Sequence, residues 1–197
     1  HSPSSTPAGS PPSRAVAGEL EVADGTRMPF DLLIAIPAHT APAFLRESGQ
    51  FRNLLLVEQP NGSFADTTAR QFLFDAWHLL LLRTLAQSGD ATIAGIAAKA
   101  AKEAAYHVER SGDWVIRLGD GTDESHAKMQ AAIDDLWHYT GEMFTPAAIE
   151  PPLVEAGIAA DLRSLAAPWR QQVDAVFAAA TLKAPDAAFM QLGGKRG

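Results

Sequence analysis

Residues 103–144 read EAAYHVERSGDWVIRLGDGTDESHAKMQAAIDDLWHYTGEMF, and this stretch leaves the chain little choice of fold. It is the end of one helix, a tight glycine turn and a whole second helix. Apolar residues recur at three- and four-residue steps on both sides of the turn, which is the helical period. Gly119 is the expected C-cap of the first helix, and Gly121 eases the turn. Thr122 is the expected N-cap of the second, with Asp123 and Glu124 placed where the helix dipole favours acids. Two long helices joined by so short a connection must pack antiparallel.

The flanking sequence supplies the rest of a bundle. Ser63, with Asp66 three positions on, forms a capping-box signature for a helix expected from Phe64 to about Ser88. Its second half is apolar nearly all round: Phe72, Leu73, Phe74, Ala76, Trp77, Leu79 to Leu82 and Leu85. Such a helix belongs inside a bundle or between subunits. Ser88, Gly89 and Asp90 close that helix and cap the next, which is expected from about Ala91 to Leu118. Its inward stripe is Ile93, Ile96, Ala97, Ala100, Ala104, His107, Val108 and Ser111. The third is expected to reach Phe144 and to be broken by Pro146, with Met129, Ala132, Ile133, Leu136, Trp137, Thr140, Met143 and Phe144 inward. Glu150, Pro151 and Pro152 read as a connection, and Leu153 to Ala156 as a short helix. Asp161 or Ser164 opens a last helix that carries Pro168 in its first turn and runs to about Leu182. Val173, Val176, Phe177 and Ala180 face inward there. The fold class is all-α: an antiparallel helix bundle of three long helices and a shorter fourth.

Residues 1–50 form a separate segment, and residues 51–197 the helical domain. Seven of the 13 prolines fall in residues 1–50, among many Ser, Ala and Gly. Ser2 to Gly18 reads as disordered, and Asp31 to Ile36 as a lone strand. Phe51 to Glu58 is extended or weakly helical, and the Gly-Gly-Lys end of the chain reads as mobile.

Composition removes several function classes. The chain has 197 residues, a net charge of −7 and no cysteine. Nucleic acid is not an expected partner, because phosphate binding wants a basic face. Disulfides, thiolate metal sites, iron–sulfur clusters and cysteine nucleophiles are excluded on this chain. The longest apolar run, Phe72 to Leu85, contains Asp75 and His78 and falls short of the roughly 20 residues a membrane span needs. The expected location is the cytoplasm.

Chemistry-bearing side chains fall on helix faces. Asp75 and His78 stand three apart, Glu103 and His107 four apart, and Asp135 and His138 three apart, so each pair shares a face. Carboxylate and imidazole at this spacing in a bundle core resemble a carboxylate-bridged di-iron set, which takes a Glu from each of two helices and Glu-x-x-His from two others. Here both x-x-His pairs begin with Asp, and a partner carboxylate for Glu103 is missing. The favoured expectation is therefore that Asp75, His78, Glu103, Asp135 and His138 hydrogen-bond one another and fix helix register, with a vestigial metal site as the alternative. The roles of His107 and His126 stay open. Asp120, Asp123, Glu124 and His126 lack calcium-loop spacing and read as a capped turn. Gly193 to Gly197 lacks the phosphate-loop pattern. Trp77, Trp114, Trp137 and Trp169 read as core or interface anchors.

Five separated motifs carry a family resemblance: FRNLLLVEQPNG (51–62), FADTTARQFLFDAWH (64–78), KEAAYH (102–107), RLGDGT (117–122) and LWHYTGEMF (136–144), followed by Gly193-Gly194-Lys195. From about Gln50 onward the chain resembles the C subunits of phenylacetyl-CoA epoxidase, the multicomponent ring oxygenase of aerobic phenylacetate degradation. The resemblance implies a ferritin-like bundle that lacks the working metal site and supports a catalytic A subunit. It also implies a small B subunit as partner. Cofactors are implied elsewhere: di-iron on the catalytic subunit, and FAD and iron–sulfur on a reductase fed by NADPH. The reaction implied is insertion of one oxygen atom of O2 across the aromatic ring of phenylacetyl-CoA. The alternative function is an independent ferritin-like metal-binding protein. Family members carry two further helices before the matched region and one after it. The bundle is therefore expected to be incomplete, the segment before Gln50 to be foreign, and the Leu79 to Leu82 surface to be exposed and prone to association.

Overall fold

The computed structural model describes residues 54–186 and 189–193, together with three short strands earlier in the chain. The chain divides into two units, His1–Pro42 and Ala43–Gly197. In the first unit, β1 (Ala15–Val16), β2 (Glu19–Glu21) and β3 (Arg27–Pro29) form an antiparallel sheet in the order β1-β2-β3. Leu20 stands opposite Ala15 on one side and Met28 on the other. Strands of two or three residues are too short to produce a readable alternation, so the sequence pattern does not announce them. The strand expected at Asp31 to Ile36 lies outside the described residues, as does most of Ser2 to Gly18.

The second unit is helical. Among the described residues its α-helices are α1 (Leu55–Glu58), α2 (Phe64–Leu85), α3 (Ala91–Gly119), α4 (Asp123–Trp137), α5 (Glu150–Glu155) and α6 (Ala166–Ala179). Two 3-10 turns, Thr140–Phe144 and Leu162–Leu165, follow α4 and precede α6. The caps are those the sequence announces. Ser63 and Asp66 form a capping box at the start of α2, and Asp90 accepts from the Thr92 and Ile93 N–H groups at the start of α3. Thr122 caps α4 in reciprocal bonds with Ser125.

α2 is the central helix, packed against α3, α4 and α6. Phe72, Leu73 and Ala76 are fully buried and meet Val115 of α3, Met129 and Ile133 of α4, and Trp169, Val173 and Phe177 of α6 in one core. Trp169 fixes α6 to α2 by donating from Nε1 to the Leu73 carbonyl at 3.0 Å. Near the far end of α2 a second cluster joins Leu79 and Leu82 to Ala97, Ala104 and Val108 of α3. The alanines let the two helices approach closely, and this corrects the expected exposure of Leu79 to Leu82. Leu79 and Leu82 are buried, and Leu80 and Leu81 half-buried. The expected inward stripe of α3 holds at Ala97, Ala104, Val108 and Ser111 but fails at two positions. Ile96 is 65% exposed and His107 is exposed, while Gly112 and Val115 are buried.

The other boundary corrections have local causes. α4 stops at Trp137 rather than Phe144. A helical Glu142 N–H would bond the His138 carbonyl, but Gln191 N–H takes that carbonyl at 2.8 Å. The Thr140 hydroxyl donates back to the Trp137 carbonyl at 2.7 Å, and the chain tightens into a 3-10 turn. α5 starts at Glu150, with Pro151 and Pro152 in its first turn, where a missing N–H costs nothing. Gly119 is still helical, and Asp120 is the C-cap. The glycine serves close approach instead: a Cβ there would lie 2.5 Å from the Ala180 carbonyl oxygen.

Candidate functional site

α2 carries Asp75 into the interior because its neighbours on all sides are apolar. Asp75 is buried, and its Oδ1 accepts from Gln71 Nε2 one turn earlier at 2.6 Å. Its Oδ2 has no hydrogen-bond partner among the described residues. The Ser111 hydroxyl beside it donates to the His107 carbonyl instead, at 2.8 Å. Burial pushes the Asp75 carboxyl above the usual carboxylate range, against opposing pulls from Gln71, Ser111, His107 and His78. Burial also lowers His78, partly countered by Asp75. His78 is half-buried and stacks on Phe74 with ring centroids 5.2 Å apart.

A raised folded-state pKa means that the unfolded chain releases this proton first as pH rises. Asp75 therefore stabilises the fold fully below the unfolded value near 3.8, and that contribution is lost as pH climbs through the folded value. Asp75→Asn is expected to melt higher than the parent at pH 7 and to show no such gain at pH 3. A variant that melts lower at pH 7 would mean the ionised carboxylate is held by its neighbours.

Of the remaining sequence candidates, only His107 lies near enough to act on Asp75 and His78, and it does so through charge, without a hydrogen bond to either among the described residues. Glu103 and His107 lie on the outer side of α3, where Nε2 and Oε1 stand 3.7 Å apart with side chains 50% and 82% exposed. Asp135 is exposed on α4. His138, the C-cap of α4, packs on Tyr139 and Phe189. The expected mutual hydrogen bonding of the five side chains is not seen among the described residues: Asp75 accepts from Gln71, and Glu103 stands beside His107 at 3.7 Å, beyond hydrogen-bond distance. Among the described residues no group of three or more His, Cys, Asp or Glu can hold a metal ion. His126 has a structural role: its Nδ1–H donates to the Gly119 carbonyl at 2.7 Å and closes the end of α3.

Glu142 is the buried group that sequence reasoning missed. It is 2% exposed, and its two oxygens accept from backbone groups far apart in the chain. Oε2 takes Leu55 N–H at 2.9 Å, and Oε1 takes Gly193 N–H at 3.0 Å. The carboxylate thus ties the start of α1 and the segment at 189–193 to the turn after α4. The same segment lays Met190 against Gly141, where a Cβ would stand 2.7 Å from Met190 Cβ.

Beside this junction lies a cavity of about 480 Å³, lined by Trp137, Phe144, Trp169, Arg170, Asp186 and Met190 among others. Arg170 sits 5.2 Å over the Trp137 ring and donates from Nε to both Asp174 oxygens, at 2.7 and 2.8 Å. The cavity offers apolar and aromatic surface. Among the described residues its lining pairs no nucleophile with a base, and its shape suits a side chain or a planar group.

No helix among the described residues is long and apolar enough to cross a membrane. Residues 38–197 match the family model described as phenylacetic acid catabolic protein. Over 155 residues the chain is 52% identical to the C subunit of the 1,2-phenylacetyl-CoA epoxidase of Escherichia coli (strain K12), a match taking in 79% of this chain. The chain spans 62% of that relative's length. The all-α, ferritin-like bundle agrees with the resemblance read from the five motifs. On this match the chain belongs to the phenylacetic acid catabolic protein family.

Proposed function

We propose that this chain is a non-catalytic subunit of a multicomponent phenylacetyl-CoA ring 1,2-epoxidase, and that it pairs with and supports a separate catalytic di-iron subunit in the cytoplasm. The observation that carries the reading is the dispersal of the di-iron-like side chains. Asp75 is buried and His78 half-buried on α2, while Glu103 and Asp135 face solvent on other helices. A dinuclear site needs carboxylates converging from several helices, so these residues do not fit one. The oxygen chemistry then belongs to the partner's metal. Electrons come from NADPH through a reductase that holds FAD and an iron–sulfur cluster, and the assembly is completed by a small B subunit. The alternative, an independent ferritin-like metal-binding protein, is disfavoured by the same dispersal.

Reconstitution tests the reading. With the catalytic subunit, the B subunit, the reductase, NADPH and phenylacetyl-CoA present, substrate-dependent oxygen uptake is expected to require this chain. Uptake that is indifferent to its omission would contradict the proposal.

A further inference from the structure

We propose that the outward face of α3 is a docking surface for an acidic helical face of the partner protein; the inference rests on the paired-subunit reading above. α3 is 29 residues long, about 44 Å at 1.5 Å per residue, and among the described residues only one side of it is used by the core. Along the other side Lys99, Lys102, Tyr106, Arg110, Asp113 and Arg117 follow one another at steps of three and four, which aligns them in a single stripe. All six are exposed. Four cations against one carboxylate stand in that stripe, with Glu103 and Glu109 at its edges, on a chain whose net charge is −7. A cationic stripe on an anionic protein selects an acidic counterpart and opposes self-pairing, since two copies meeting through it would face their own cations.

The same face presents ordered aromatic rings. Tyr106 is 64% exposed, Phe64 at the start of α2 57%, and Trp114 37%. Phe64 meets Trp114 edge-on at 5.2 Å, and the Arg117 guanidinium sits 5.6 Å from the Trp114 ring centre. Tyr, Trp and Arg are the residue types that dominate interface energetics, and rings already held in place lose less freedom on binding. Gly95 lies on the same stripe one turn inside the helix. A Cβ there would meet nothing within 4 Å, so packing among the described residues gives the glycine no steric use. Glycine is unfavourable in an exposed helix interior, and close approach by a partner helix gives it a use.

The test measures binding of the full chain to the catalytic di-iron subunit by titration calorimetry at low and high salt. The parent is expected to bind, more weakly at high salt. The double variant Arg110→Glu with Arg117→Glu is expected to bind at least tenfold more weakly with unchanged helical circular dichroism. Lys128→Glu on α4, a charge reversal outside the stripe, should bind like the parent. Equal binding by the parent and the double variant would overturn the α3 surface while leaving the paired-subunit reading intact. Absence of binding by the folded parent at either salt would overturn both. A parent that instead forms dimers by itself, dissolved by the double variant, would assign the face to a second copy and overturn the acidic-partner proposal.

Discussion

Glu142→Ala is expected to cost about 3 kcal/mol of folding stability and to release the segment at 189–193. The carboxylate is nearly inaccessible, and its oxygens accept the Leu55 and Gly193 N–H groups at 2.9 and 3.0 Å. Hydrogen bonds to a charged acceptor contribute about 1.5–3 kcal/mol each, and a donor left buried without a partner costs more than the bond alone. The gain from no longer burying a charge offsets part of this. Glu142→Gln should lose about half as much, because one acceptor oxygen remains while its amide opposes the other N–H. Urea unfolding reads the stability, with an unchanged slope expected. Amide exchange at Gln191 and Gly193 reads the release and should accelerate in both variants. Stability within about 0.5 kcal/mol of the parent, with exchange unaltered, would show that the ends of the helical unit are held by other contacts.

Phe72→Ala is expected to cost about 3–5 kcal/mol. Phe72 is fully buried at the centre of α2, with its ring 6.2 Å from that of Phe177 on α6. On its other side it faces Gly112 of α3, where a Cβ would stand 3.5 Å from the ring. Three helices meet on this one side chain, so none can relax into the space without leaving the others. Phe64 on the same helix is the control. It is 57% exposed and contacts Trp114 only edge-on, so Phe64→Ala should cost about 1 kcal/mol. Thermal melts of the two variants side by side separate core from surface. Equal losses would mean that the packing around α2 is not as described.

The bundle was legible because its signals are local and periodic. Ser63, Asp90 and Thr122 announce three helix starts, and the apolar excess of α2 announces its central place. What escaped the sequence depends on distant partners. The end of α4 is set by Gln191 taking the His138 carbonyl, and no residue between Trp137 and Phe144 signals that competition. Glu142 was invisible for the same reason: a single carboxylate in a turn has no period, and its acceptors' partners come from opposite ends of the unit. For the candidate site, spacing put Asp75 with His78 and Glu103 with His107 on shared faces correctly. It could not tell which face turns inward. Asp75 is enclosed by α2's apolar neighbours, whereas the stripe on α3 is made of alanines whose weak patterning let Ile96 and His107 be placed inward when they face solvent.

The most decisive measurement is the composition of the purified pair. The chain is co-expressed with the catalytic di-iron subunit, recovered through a tag on this chain alone, and both polypeptides and the iron are quantified. Equal amounts of the two chains, with all iron retained by the catalytic subunit after the pair is separated, is the result predicted. A chain that is helical, melts cooperatively and yet recovers no catalytic subunit, or one that keeps stoichiometric iron by itself, would contradict the reading of this protein as a supporting subunit.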